Sequence, residues 1–186
     1  MKGVITLART YPEYDYDLAE GLFQELSNLG VSVLAERLSG QFGKQSELQN
    51  FFLEYGNDLA KQVLSAGKKY KDRTCEVMEE VAQKTGLVFP SIPQRYIEVW
   101  LLATRPQDKW KLLESTPKRL VFAVNECSLY QLIKKKVPSD ISLPCRHACL
   151  TVLEGIYQGL GLSVKVALLN DMERDGKCCF SSEIAN

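Results

Sequence analysis

The sequence predicts an α+β fold, in which a helical first part precedes an antiparallel four-stranded sheet with helices on one face. In the first part, apolar residues recur every three to five positions, which is typical of amphipathic helices. The second part follows the order β-β-α-α-β-β, and runs of strands and helices in this order favour an antiparallel sheet. We expect a helical subdomain over residues 1–106 and a cysteine-rich α+β subdomain over residues 107–186, packed as one compact unit.

Three helices are expected in the first part. The first spans residues 17–38, with Gly21 and Gly30 as weak points. The second begins at Ser46, whose hydroxyl is expected to cap it, and runs to the Gly67 region. The third covers residues 72–86 and contains Cys75, for which we expect a packing role. Residues 94–105, QRYIEVWLLATR, fit either a helix or a buried strand, and the pattern does not decide between them.

The second part is predicted to alternate pairs of strands and pairs of helices. The two strand pairs have β-like composition and are each separated by a turn signal, Thr116-Pro117 in the first and Asp175-Gly176 in the second. The predicted strands are 109–116, 118–127, 163–169 and 178–184, and the predicted helices are 128–136 and 142–161.

Composition and charge exclude several classes of protein. The chain has 186 residues, of which 45% are hydrophobic, so it is long enough to bury a sizeable core. Its 23 basic and 23 acidic residues give no net charge, so we expect no nucleic-acid partner. No apolar run is long enough to cross a membrane or to act as a signal peptide. We therefore expect a cytoplasmic protein that has no membrane partner and keeps its thiols reduced.

Five of the six cysteines fall in the last third of the chain, around the stretch SLPCRHACL. On the helix predicted over residues 142–161, Cys145 and Cys149 share the apolar stripe, and Cys145 lies in the first turn, where the helix dipole favours a thiolate. His147 points about 200° away from both thiols by the helical period and is expected at the surface. In the last strand, Cys178 belongs to the apolar face and Cys179 to the opposite face.

Core-facing thiols at a strand end (Cys127), a helix start (Cys145 and Cys149) and a hairpin strand (Cys178) suit a tetrahedral metal site. Asp171 is an alternative ligand. Zinc is the expected ion, and other transition metals remain open. No C-x-x-C pair is present, so the alternative that these cysteines are small buried hydrophobes also remains open.

Residues 110–184 resemble a known family. A strand ending in a cysteine, RLVFAVNEC, is followed by a second cysteine opening a helix, LPCRHAC, an acidic stretch, NDMERDG, and a closing strand, CCF. This order is similar to that of the L-2-amino-thiazoline-4-carboxylic acid hydrolase-like proteins and the 4-vinyl reductase (hydrocarbon-binding) domains.

The resemblance implies a zinc ion on Cys127, Cys145, Cys178 and an acidic residue, with Asp171 first. Glu173 and Asp175 lie in the same acidic stretch, which leaves the identity of that residue open. The chain departs from the family where RHACLTVLEGIYQG replaces a glycine-rich segment, and Cys149 and Cys179 are additional thiols that are able to substitute as ligands.

Three functions are compatible with these features. The first is a small-molecule-binding domain with a zinc site, holding a hydrophobic or amino-acid-like molecule between the helices and the sheet. The second is a metal- or cysteine-dependent hydrolase of a small thio- or amino-acid-like substrate, with Cys145 as the catalytic nucleophile. The third is a protein–protein module that forms a homodimer through its helices.

Overall fold

The fold is described from a computed structural model, which covers residues 20–38, 44–70, 83–85, 94–136 and 145–185. The packing role predicted for Cys75 falls outside the described residues, as does most of the helix predicted over residues 72–86. Within that predicted helix, residues 83–85 are described and are helical.

The described residues form helices in the first part and a mixture of helices and strands in the second. The α-helices are α1 (Glu20–Leu26), α2 (Val31–Arg37), α3 (Gln45–Lys69), α4 (Arg95–Thr104), α5 (Ser128–Lys136), α6 (Cys145–Gly159) and the short α7 (Met172–Asp175), with a 3-10 helix at Ser27–Leu29. The strands are β1 (Lys109–Ser115), β2 (Arg119–Glu126), β3 (Val164–Asn170) and β4 (Cys178–Ile184).

Where the structure describes the first part of the chain, it is helical as predicted, with two refinements and one correction. The segment before Pro106, which the pattern left open, is the helix α4. Gly30 adopts an extended backbone (φ −66°, ψ 160°) and divides the first predicted helix into α1, the 3-10 turn and α2. The predicted Ser46 cap is wrong, because α3 begins at Gln45 after Lys44, which caps it with no side-chain hydrogen bond.

The four strands form one antiparallel sheet in the order β1-β2-β4-β3, which confirms the α+β prediction. Phe122 of β2 lies opposite Phe180 of β4, and the two rings stack with their centroids 5.2 Å apart. The connection before β4 is not the simple hairpin expected at Asp175-Gly176, because α7 intervenes and Gly176 ends it with a positive φ of 68°. A positive φ is favoured by glycine, since other residues crowd their Cβ there.

One face of the sheet joins the helices in a single apolar core. Leu120, Phe122, Val124 and Phe180 belong to the same buried cluster as residues of α1, α3, α4 and α6. Cys178 packs against this cluster, whereas Cys179 lies with Val121 and Ala123 in a small separate cluster on the other face, as the alternation along β4 predicted. The sequence-predicted cysteine ligands are therefore at the edge of the main core.

The helices α3 and α6 cross closely because glycine occupies the contact points. A Cβ added at Gly56 would lie 2.7 Å from the carbonyl oxygen of Ala148, and one added at Gly155 would lie 2.7 Å from Cβ of Ala60. Both distances are shorter than normal contacts, so the helix spacing depends on these glycines. This contact fixes the position of α6, which carries Cys145 and Cys149.

Among the described helices, none combines the length and the apolar character that a membrane span needs.

Candidate functional site

Four of the predicted site cysteines lie at the same end of the core. Cys127 follows the last residue of β2, and Cys178 is the first residue of β4, where it pairs with Val124. Cys145 and Cys149 occupy the first two turns of α6, both buried. Because β2 and β4 are antiparallel, the end of one meets the start of the other. We call Cys127, Cys145, Cys149 and Cys178 the four-thiol cluster.

A tight turn after α4 supplies two charged groups that the sequence analysis did not identify. The backbone N–H of Asp108 donates to the carbonyl of Arg105 at 3.0 Å, closing the turn Arg105-Pro106-Gln107-Asp108. Proline is favoured at the second position of such a turn because its fixed φ suits it. The turn brings Nε of Arg105 to 3.2 Å from Oδ2 of Asp108, and the two side chains are only 2% and 0% exposed.

The guanidinium of Arg105 contacts two members of the four-thiol cluster. Its Nη1 donates to Sγ of Cys149 at 3.6 Å and to Sγ of Cys127 at 3.8 Å. Its Cζ also lies 4.9 Å from the centroid of the Trp100 ring, which is a cation–π contact. Arg105 is therefore fixed by a carboxylate, an aromatic ring and two sulfur atoms.

The carboxylate of Asp108 links this ion pair to the start of α5. Its Oδ1 accepts the backbone N–H of Ser128 at 2.7 Å and also the hydroxyl of Ser128. Cys127, the residue before α5, accepts the backbone N–H of Tyr130 on its Sγ at 3.3 Å. Its thiol thus takes the place of a helix N-cap side chain, three residues before the donor.

The two thiols that contact Arg105 experience opposing influences. Burial raises the pKa of Cys127 to about 11, although the positive charge of Arg105 and the Tyr130 N–H act to lower it. Burial also raises the pKa of Cys149, against the charge of Arg105 and its hydrogen bond. In the metal-free protein both groups are therefore neutral thiols at pH 7, beside a cation that favours their thiolate forms.

The other two thiols differ in exposure, since Cys145 is buried and Cys178 is partly exposed. Burial raises the pKa of Cys145 well above its usual value, and negative charge on Cys149, Cys127 or Cys178 raises it further. Burial, followed by negative charge on Cys149, raises the pKa of Cys178 to about 12, while the backbone N–H of Met172 acts to lower it. The helix N-terminus was expected to favour a thiolate at Cys145, and burial outweighs that effect.

The predicted acidic ligand Asp171 lies beside the cluster and is engaged elsewhere. Its Oδ1 accepts the N–H of Glu173 at 2.9 Å, and its Oδ2 lies 3.7 Å from Nη1 of Arg146. The backbone N–H of Asp171 in turn donates to Oδ2 of Asp175 at 2.7 Å. These contacts cap α7, so Asp171 and Asp175 both have a structural role, and the Asp171 side chain is 13% exposed.

His147 and Cys179 are the remaining candidates from the sequence. His147 is partly exposed on α6, between the buried positions Cys145 and Cys149, in agreement with the helical period. Burial and the charge of Arg146 lower its pKa. Cys179 is on the opposite face of the sheet from Cys178, so the structure does not bring it together with the four-thiol cluster.

Two buried donors near the cluster have no partner within the described part of the protein. These are Nη2 of Arg105 and Nε1 of Trp100. Buried polar groups are nearly always hydrogen-bonded, and orphaned ones often mark functional sites. The polar groups around Arg105 thus have hydrogen-bonding capacity that the surrounding chain does not use.

The donor set suits a thiophilic metal, but the side chains are not drawn into one coordination sphere. Across the described ranges, no group of three or more His, Cys, Asp or Glu side chains is disposed to hold a metal ion as it stands. Four thiols at one end of the core nevertheless match the sulfur ligands that Zn²⁺ prefers in structural sites. Metal binding here requires the thiols to turn toward a common centre.

Sequence reasoning missed Arg105 and Asp108 because the helix before them was followed only as far as Pro106. The available signal was Arg-Pro-Gln-Asp directly between an apolar helix and a strand. A charged pair spaced three residues apart in a tight turn, next to Trp100 and Trp110, has little room to stay in solvent.

The chain matches no family model, and no curated protein is significantly similar to it.

Proposed function

We propose that the four-thiol cluster binds a thiophilic divalent metal ion, with zinc as the first candidate, in a domain that binds a small molecule. The observation that carries the metal proposal is the set of N–H donors on sulfur. Cys127 accepts from Tyr130 and Arg105, Cys149 accepts from Arg105, and Cys178 accepts from Met172.

Such donors are better suited to thiolates than to thiols. A neutral thiol sulfur is a weak acceptor, so N–H groups and a guanidinium directed at it gain little. A thiolate is a far stronger acceptor, and outer-shell donors of this kind orient metal ligands. Burial alone disfavours the thiolates, as the raised pKa values of Cys127 and Cys178 indicate. A divalent cation would reverse this balance by replacing the protons.

The metal would join elements that are distant in sequence. Cys127, Cys145, Cys149 and Cys178 would hold it, with Asp171 as the additional candidate that the resemblance implies. These thiols come from the β2–α5 junction, the start of α6 and the start of β4. A zinc ion bound by four cysteines contributes stability directly, because the unfolded chain offers no preformed site.

The small-molecule role and the cytoplasmic location belong to the same proposal. The resemblance to hydrocarbon-binding domains supports a hydrophobic or amino-acid-like ligand, and free rather than bridged cysteines support a reducing compartment. The cysteine-dependent form of the hydrolase alternative would need a reactive thiolate at Cys145. Burial raises the pKa of that thiol, so we develop the metal-binding proposal.

The test is a titration of reduced, metal-free protein with Zn²⁺, followed by calorimetry in buffers of different ionisation enthalpy. We expect about one ion per chain, release of protons as thiols become thiolates, and a higher melting temperature. Cys127→Ser should abolish tight binding. Since serine is a favoured N-cap, this variant keeps a side-chain acceptor for the Tyr130 N–H and should still fold.

The matched control is Cys179→Ser, which removes a buried thiol from the opposite face of the sheet. It should bind zinc like the wild type. The proposal is wrong if wild-type protein binds no zinc tightly, or if Cys127→Ser, Cys149→Ser and Cys179→Ser all bind it equally well.

A further inference from the structure

We infer that Arg105 is a positioning residue of the metal centre, where its locked guanidinium holds the thiolates of Cys127 and Cys149 in place. The inference rests on the proposed metal binding and adds a residue that no part of the sequence pattern identified. Its basis is one nitrogen, Nη1, that donates to sulfur atoms on two separate elements, the β2–α5 junction and α6.

The guanidinium cannot easily move away from these sulfur atoms. Asp108 holds its Nε at 3.2 Å, and the ring of Trp100 covers it at 4.9 Å. The Asp108 carboxylate is itself held by the N–H and hydroxyl of Ser128, directly after Cys127. A donor fixed in this way needs no reorganisation when the thiols become thiolates.

Stability alone does not account for the buried Arg105. Removing a guanidinium and a carboxylate from water is costly, and apolar residues of similar volume often stabilise a core equally well or better. Here the pair is almost fully buried, with Nη2 of Arg105 and Oδ2 of Asp108 lacking hydrogen-bond partners in the described structure. The contacts to sulfur give a reason for keeping the pair.

Arg105 also supplies the positive charge that a thiolate-rich site needs. A metal ion with four thiolates is an anionic centre, and N–H donors to the sulfur atoms lower its energy in a buried setting. The guanidinium interacts with Cys149 both through its charge and through a hydrogen bond. Loss of Arg105 should therefore weaken metal binding without removing a ligand.

The experiment compares wild-type protein with the double variant Arg105→Met, Asp108→Asn. Removing both charges avoids leaving Asp108 buried and unpaired, and asparagine can still accept the N–H of Ser128. The probe is Co²⁺, whose sulfur-to-cobalt charge-transfer absorption reports on the ligating thiolates. The matched control is Arg119→Met, which removes an arginine with two ion pairs at the start of β2, away from the cluster.

We expect the double variant to remain folded by circular dichroism and to bind Co²⁺ about 10- to 100-fold more weakly, the usual effect of losing an outer-shell partner. Its charge-transfer band should move to longer wavelength, because sulfur that has lost an N–H donor gives up electron density more easily. Arg119→Met should match the wild type in both respects.

Two outcomes would overturn the inference in different ways. If the double variant binds Co²⁺ with wild-type affinity and an unchanged spectrum, Arg105 does not position the thiolates, while the metal proposal stands. If wild-type protein shows no thiolate-to-cobalt absorption and no Zn²⁺ binding, the metal proposal itself fails and the inference fails with it.

Discussion

The contact between α3 and α6 and the four-thiol cluster both involve the start of α6, but they are buried in different ways. At the helix contact, Gly56 and Gly155 allow close packing against Ala148 and Ala60. At the cluster, a buried ion pair and four thiols occupy the space, and some of their polar atoms have no partner among the described residues. The helix contact is explained by the complementary shape of its residues alone. The four-thiol cluster contains buried polar atoms that packing does not explain.

This difference is the one that the proposed metal site would produce. A core that only needs to be stable favours apolar residues of complementary shape, as the glycine and alanine contacts show. Conflicts with that rule are expected mainly at functional sites. The Arg105–Asp108 pair is such a conflict, and it contacts Cys127 and Cys149 directly.

The largest expected effect comes from removing one charge of the buried pair. Asp108→Ala should lower the free energy of unfolding by about 3–5 kcal/mol, because it leaves Arg105 charged and unpaired in the core. Chemical denaturation measures this. The control is Glu126→Ala, which breaks the exposed Lys109–Glu126 pair (2.5 Å) and should cost less than about 1 kcal/mol. Similar losses in the two variants would show that the Arg105–Asp108 pair is not a special feature of the cluster.

A smaller loss is expected when the helix contact is overfilled. Gly56→Ala places a Cβ 2.7 Å from the Ala148 carbonyl and 2.9 Å from Cβ of Thr151, so the helices must separate. We expect a cost of about 1–3 kcal/mol from overpacking. This cost opposes the gain in helix propensity, up to about 1 kcal/mol, that alanine brings over glycine in a helix interior.

The neighbouring exposed position provides the control for this substitution. Asn57→Ala, one residue along α3, changes helix propensity without touching α6 and should be neutral or slightly stabilising. A stabilised Gly56→Ala variant would mean that the contact is looser than the Cβ distances indicate. Zinc binding by Gly56→Ala, measured as for the wild type, shows whether a displacement of α6 reaches Cys145 and Cys149.

Most of the fold was predictable from the sequence because period and turn signals are local. Apart from α7, the order of elements after residue 107 follows from spacing, as do the faces of β4 and the buried stripe of α6. The site was predictable only in part. The cysteines were identified by their residue type. Arg105 contacts them because the chain turns and reverses direction after α4, and no local sequence pattern predicts that contact. The Ser46 prediction failed because position within a sequence run does not fix where a helix starts.

The smallest expected effect, and the one that most directly separates the two regions, is a dependence of stability on alkaline pH. Burial raises the pKa of Cys127 from 9.0 to about 11. Between these values the unfolded chain loses a proton that the folded chain retains. The stabilisation is therefore fully present below pH 9 and is lost as pH rises through about 11. Each such thiol contributes a slope of about 1.4 kcal/mol per pH unit within this window.

Chemical denaturation of metal-free protein at pH 8 and pH 10 should reveal this dependence of the free energy of unfolding on pH. Cys127→Ala should make the dependence weaker, whatever the variant's absolute stability. Gly56→Ala should keep the full wild-type slope, because this substitution neither adds nor removes a group that titrates. An unchanged slope in Cys127→Ala would show that this thiol is not held neutral by burial. That result would mean that Cys127 ionises in the folded protein much as it does in the unfolded chain, and the contrast between a region packed by shape and a region that buries titratable groups would no longer hold.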